Sequence, residues 1–411
     1  MKRSISIVVV LTAIAAAAGA GSAWSGEIVI GLQCDRTGPT QIVGNIVCPA
    51  YHDYVKLINA NGGIGGHTIR VMEVDHQYKV TLGVESYQRF KAAGAVLIGL
   101  YGTPQTQALT SDLIKDKIPG TSPGFGTAAA ADGQKYPYLF PMAASYWSQA
   151  AGAVEFVRQE LGGSLDGKKI AYVYYDNPAG REGLPVLRAL SESEGFELRE
   201  FAVPAPGLEM SAQVRDIARR YRADYVISHL FGRAPSVQLK EFNRAGYPLD
   251  KVVSFVWGAS EADIAAAGGW DAAEGYNGIS FAGVGPDYPV LGEIAELYRA
   301  KGDEPPEVMK YTVFYNRGVL MAGLHLEAIT NAVEANGGGS DVTGTQVKAG
   351  FETIENFTLG GLVPPLRITP IDHEGGGLVR VFQVKGGKWI PRTDWYQGYR
   401  DTVLELLAEE G

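Results

Sequence analysis

Few residues in this chain are spaced for bond-breaking chemistry. The two cysteines, Cys34 and Cys48, lie fourteen residues apart, and Cys48 and His52 sit at i and i+4 on one predicted helical face. Three outcomes suit that set: a disulfide in an oxidising compartment, two free thiols, or part of a metal site. A zinc site normally needs four ligands, or three and water, so the cysteine–histidine pair is short of partners. The disulfide is the expected state. The other histidines, at 67, 76, 229, 325 and 373, are scattered, and Asp372-His373-Glu374 reads as a polar turn. The chain has no His-Glu-x-x-His helix and no phosphate loop. Gly124-x-Gly126 lacks the third glycine of a dinucleotide fingerprint. The expectation is a protein without catalysis, cofactor or metal.

The elements that carry these residues alternate between strand and helix. Ile28 to Leu32 reads as a buried strand, Arg36-Thr37-Gly38-Pro39-Thr40 as a turn, and Gly44 to Asn61 as a helix with Ile46, Tyr51, Tyr54, Val55 and Ile58 at helical spacing. Asn61-Gly62-Gly63-Ile64-Gly65-Gly66 stops that helix, and Thr68 to Asp75 follows as a strand. Further strands are expected at 95–100, 138–140, 169–175, 198–202, 224–229 and 252–256. Helices are expected at 105–117, 148–161, 182–195, 210–220 and 235–245. The series occurs twice, with a change near 141–148, and a third run is expected after 276. Repeated strand–helix–strand units imply parallel sheets covered by helices. The fold class is therefore α/β, with two doubly wound lobes and a ligand site at the carboxyl ends of their strands.

The N-terminus reads as an export signal. Lys2 and Arg3 precede the apolar run Ile5–Ala18, and small residues near 21–25 suit cleavage. The run is short for a membrane span. Without residues 1–25 about 385 residues remain, too many for one core. Lys2 and Arg3 leave with the signal, so 34 basic residues face 45 acidic ones and the net charge moves from −9 to −11. That balance argues against nucleic acid and anionic lipid as partners.

Several segments together resemble a known family. They are Ile30-Gly31 through Thr37-Gly38-Pro39, Ile58-Asn59-Ala60-Asn61-Gly62-Gly63-Ile64-Gly65-Gly66, Ile98-Gly99, the Thr103–Asp112 helix, Ile118-Pro119 to Ser122-Pro123, Ala273-Glu274-Gly275 and Tyr315-Asn316-Arg317-Gly318. The chain resembles the type 1 periplasmic solute-binding proteins of the leucine–isoleucine–valine family, which feed ABC importers. The resemblance implies a clamshell with three crossover strands: one lobe of 26–144 with 278–364, a second of 145–277 with 365–395, and a C-terminal helix over 396–411. It implies a periplasmic monomer that captures a small organic ligand and docks on an ABC permease and ATPase complex in the inner membrane. A periplasmic sensor for a receptor or kinase is the alternative that the same fold permits.

The resemblance also places a site. Thr103, opening a helix, and the loop Gly124-Phe125-Gly126 would hold a ligand carboxylate, which suits a hydroxyl beside a helix N-terminus. In the second lobe the chain departs from the family pattern. The two positions that are tyrosine or its counterpart in the family fall at Ala179 and Phe231, and the expected acidic partner of a ligand ammonium falls near Trp257-Gly258, where no carboxylate stands. A desolvated ammonium without a counter-charge binds poorly. Phe125, Tyr146, Trp147, Phe231 and Trp257 would instead wall the cleft, with Arg181 or Arg233 near its mouth to grip a carboxylate. The expected ligand is an aromatic or other hydrophobic carboxylate; a true amino-acid or amide ligand is the alternative.

Overall fold

The computed structural model describes residues 26–409; the expected export signal lies outside them. The first sheet is built from β1 (Glu27–Cys34), β2 (Thr68–Asp75), β3 (Leu97–Gly99), β4 (Gly120–Thr121) and β5 (Leu139–Phe140), all parallel in the order β2-β1-β3-β4-β5. Every residue of β1 after Glu27 is buried, as a central parallel strand covered on both faces requires. Helices α1 (Gln41–Ala60), α2 (Val80–Ala92) and α3 (Thr103–Asp116) connect these strands. The Cys34–Cys48 disulfide is present and ties the end of β1 to α1 across a Cα separation of 6.5 Å. It occupies both thiols and removes the metal reading, and His52 is paired to Glu73 at 2.8 Å instead.

The chain then crosses to a second sheet through α4 (Tyr146–Glu160). Strands β6 (Lys169–Tyr175), β7 (Glu197–Val203), β8 (Tyr225–His229), β9 (Val252–Ser254) and β10 (Asn277–Ser280) run parallel, with helices α5 (Pro178–Arg181), α6 (Leu184–Glu194), α7 (Ser211–Arg215), α8 (Ala234–Ala245) and α9 (Glu261–Ala267) between them. The expected third run does not form a sheet of its own. Strand β10 pairs with β9, and the next helices, α10 (Pro289–Arg299) and α11 (Thr312–Ala335), return to pack on α1. After α12 (Gly344–Phe351) the chain crosses back, and β11 (Arg380–Lys385) and β12 (Lys388–Pro391) add antiparallel to the second sheet, giving β12-β11-β10-β9-β8-β6-β7. Helix α13 (Arg400–Glu409) packs on α4 and α6. It begins four residues later than its apolar pattern predicts, because Val379 pairs with Tyr396 as a β-bridge and Tyr399 adopts a positive φ of 40°.

Two details fix how the crossing segments sit. Gly318 on α11 faces α1 so closely that a Cβ there would run into the Val47 carbonyl, which only glycine permits. Asp372-His373-Glu374 is the expected polar turn, with the Asp372 carboxylate accepting from the Glu374, Gly375 and Gly376 amides, and its His373 and Glu374 are also buried anchors. The His373 ring stacks on Phe140 at 3.8 Å, and Glu374 pairs with Arg400 at 2.7 Å while accepting from the Ser145 amide. Among the described residues no helix is long and apolar enough to cross a membrane.

Candidate functional site

The carboxyl ends of six parallel strands converge on one cavity. Thr40, Val43 and Val47 come from the turn and helix after β1. Tyr78 follows β2, and Tyr101, Gly102 and Thr103 follow β3. Phe125 follows β4, Phe231 follows β8, and Trp257 follows β9; Tyr146 and Met321 complete the lining from α4 and α11. This is where a doubly wound sheet leaves open backbone ends and room for a ligand.

Gly102 has a φ of 94°, a conformation open to glycine, and it turns the N-terminus of α3 toward the cavity. Thr103 is the first helical residue, 1 % exposed, and its Oγ1 accepts from the Gly126 amide at 3.1 Å. Tyr146 lines the cavity together with Thr103. Burial pushes the Tyr146 pKa well above the usual tyrosine range, so the phenol stays a donor. Gly124 and Gly126 both have positive φ and shape the loop between them. The Gly124 carbonyl is held from two sides, by Gln149 Nε2 and Trp257 Nε1, each at 3.0 Å. Those bonds fix Phe125, whose ring meets Trp257 at 6.1 Å and Tyr101 at 6.4 Å.

Thr103, Phe125, Tyr146, Phe231 and Trp257 thus stand together around one space, and Gly124 and Gly126 support it from behind. Trp147 and Ala179 do not reach it. Trp147 follows Tyr146 on a helix, so its side chain turns about 100° away and is buried in the core. Ala179 is buried at the start of α5. Neither arginine lines the cavity: Arg181 is exposed and pairs with Asp176, and Arg233 is exposed in the turn before α8. Sequence reasoning did not single out Thr40, Val43, Val47, Tyr78, Tyr101, Gly102 or Met321. The strand-end rule would have found Tyr78 and Tyr101, which lie within three residues of the ends of β2 and β3. Met321 had no such signal, because it lies three turns into a helix that joins the site only by tertiary packing.

No side chain lining the cavity carries a formal charge. Buried charges lie behind its wall on both sides: Asp35, next to the cavity, accepts from the lining Thr40 through its amide at 2.8 Å and its hydroxyl at 2.6 Å. Arg317 on α11 is fully buried; it donates to the Val256 carbonyl and, at 3.1 Å, to Ser280 Oγ, and its guanidinium stands 5.3 Å over the Trp257 ring. Burial pulls its pKa down, while Glu261 and Asp263 oppose that shift. Glu261, one turn beyond Trp257, accepts from Thr312 Oγ1 at 2.6 Å, and burial raises its pKa. Burial likewise pushes the Asp263 carboxyl up to about 7, against its bond from Ser260 Oγ.

A model of the family described as periplasmic binding protein matches residues 27–388. The chain belongs to the periplasmic binding protein family. A solved structure described as an ABC transporter permease from the Pseudomonas fluorescens group is 31 % identical, with a TM-score of 0.85 over 93 % of this chain and 95 % of that one. A branched-chain amino acid ABC transporter protein from Thermus thermophilus, with bound valine, is 22 % identical, with a TM-score of 0.79 over 92 % and 98 %. A fatty acid ABC transporter substrate-binding protein from Thermomonospora curvata is 20 % identical, with a TM-score of 0.76 over 94 % of each chain. No curated protein matches the sequence. Membership makes this an extracytoplasmic solute-binding protein of the type 1 fold and bears out the expectation of no enzymatic role.

Proposed function

We propose that this periplasmic binding protein is the capture component of an ABC importer of the branched-chain amino acid type, and that its ligand is an aromatic or hydrophobic carboxylate. Its lobes are 26–144 with 278–364 and 145–277 with 365–395, and the closed form delivers the ligand to a permease and its ATPase. The observation that carries the ligand class is the uncharged lining. Six aromatic rings, from Tyr78, Tyr101, Phe125, Tyr146, Phe231 and Trp257, form most of the wall. A carboxylate has a place in it, at the N-terminus of α3 beside the hydroxyls of Thr103 and Tyr146. An ammonium has none, because the nearby carboxylates are spent: Asp35 on the Gly38 amide and on the amide and hydroxyl of Thr40, and Glu261 on Thr312 and the Val313 amide. Two of the solved neighbours are described with valine and with fatty acids, which share the carboxylate and differ in the ammonium.

A thermal-shift panel of 4-hydroxybenzoate, phenylacetate, hexanoate, leucine and valine tests the reading. A ligand at 100 times its Kd adds about 2.7 kcal/mol of stability. The acids should raise the melting temperature and the amino acids should not; a shift by leucine or valine alone overturns the ligand class. Phe231→Ala should weaken the acid that shifts the melt most by roughly tenfold or more, since it removes a buried ring from the wall.

A further inference from the structure

A second, smaller cavity lies where β10, the β11–β12 hairpin and the first two turns of α11 meet. Its polar edge is made by Arg317, Trp389 and Ser280. Arg317 is fully buried, and its hydrogen bonds go to neutral acceptors: the Val256 and Ile279 carbonyls and Ser280 Oγ. The rings of Trp257, Phe281 and Phe314 lie against the guanidinium at 5.3, 5.1 and 5.6 Å. Its Nε–H has no partner among the described residues, and neither has the buried Nε1–H of Trp389. A buried donor left unpaired is costly, and more so on a charged group. Glu261 and Asp263 act on this cation at longer range, being bonded themselves to Thr312 and Ser260. Burial pulls the Arg317 pKa down to about 9, so the group is still a cation at neutral pH.

We propose that this second cavity is a binding site for a small monovalent anion of the chloride type, held by Arg317 Nε and Trp389 Nε1. A buried water needs acceptors as well as donors around it. The other side chains of the lining, Ala259, Ile279, Val284, Val313 and Phe382, are apolar. Ser280 Oγ already donates to the Ala282 carbonyl at 2.7 Å and accepts from Arg317 and the Ala282 amide. Two N–H donors with no side-chain acceptor left suit an anion, which only accepts. The guanidinium supplies the opposite charge away from bulk water, where the attraction is stronger than at an exposed site. Phosphate and sulfate are disfavoured by the same walls, which would leave their further oxygens unpaired. Val284 and Trp389 are half-buried, so the site is reached from the surface and not through the ligand cavity.

The test compares thermal melts of the mature protein in sodium chloride, sodium bromide and sodium gluconate. Equal ionic strength keeps screening the same in all three. Chloride at ten times its Kd should raise the folding constant about tenfold over gluconate and lift the melting temperature. Trp389→Phe keeps a ring at a half-buried position and removes only the Nε1–H, so it should fold and should weaken chloride binding about tenfold. Arg317→Met should abolish the chloride-specific rise; should that variant not fold, Trp389→Phe still decides. Crystals soaked in bromide should give an anomalous peak within hydrogen-bond distance of both nitrogens. Equal melts in chloride and gluconate, a chloride shift that Trp389→Phe leaves whole, or bromide peaks found only elsewhere would each overturn the proposal. No readout uses a ligand of the first cavity, so a failure of the ligand class proposed above leaves this test intact.

Discussion

Asp263 offers the sharpest test of how the buried charges behind Trp257 behave. Its carboxyl is fully inside the protein, bonded to Ser260 Oγ at 2.6 Å, and burial lifts its pKa from 3.8 to about 7. Between those two values the folded chain holds a proton that the unfolded chain has released. The stability contributed by this group is therefore complete below 3.8 and is lost as pH rises through 7. The whole separation corresponds to about 4 kcal/mol, of which about 2.5 kcal/mol falls between pH 5 and pH 8. Asp263→Asn keeps the shape of the protonated acid and cannot ionise. Its amide oxygen can still accept from Ser260. Urea unfolding of both proteins at pH 5, 6, 7 and 8 gives the comparison. The wild type should lose about 2.5 kcal/mol relative to the variant across that range. His229 and His325, held down at about 3 by burial, slope the other way, because the unfolded chain binds their protons first as pH falls. They are present in both proteins and cancel in the difference. Parallel pH profiles, within about 0.5 kcal/mol, would show that Asp263 stays ionised in the fold and that the Arg317 cation outweighs its desolvation.

Two further outcomes concern the scaffold. Replacing both cysteines by alanine removes a cross-link over a short loop and should lower the unfolding free energy by about 3 kcal/mol; intact-mass measurement with and without reductant on the wild type checks that the bond is there to lose. Gly318→Ala puts a methyl group against the Val47 carbonyl where α11 crosses α1, so it should cost about 2 kcal/mol by overpacking, and an unchanged urea midpoint would mean that the two helices can move apart freely.

The alternation of apolar runs, helical spacing and glycine turns was enough to give an α/β chain with two parallel-sheet lobes, because each of those signals is local. Strand β6 falls at 169–175 as expected, since its seven residues are bounded by polar turns and buried from Ile170 onward. Local pattern could not say which sheet β10 would join, or that α10 and α11 would return to α1. Those choices rest on pairing between segments far apart in sequence. The same division runs through the site. Thr103, Phe125, Phe231 and Trp257 follow strand ends, and a strand end is visible in sequence. Arg181 and Arg233 have the right chemistry near the right strands, yet one is engaged by Asp176 and the other is exposed, which only the path of the turns decides. Met321 enters the cavity because α11 lies across its floor. The sequence by itself determined the α/β fold class and the likeness to extracytoplasmic solute-binding proteins. Tertiary structure decided which rings face inward and which charges are spent on other partners, because both depend on contacts that no stretch of chain makes with itself.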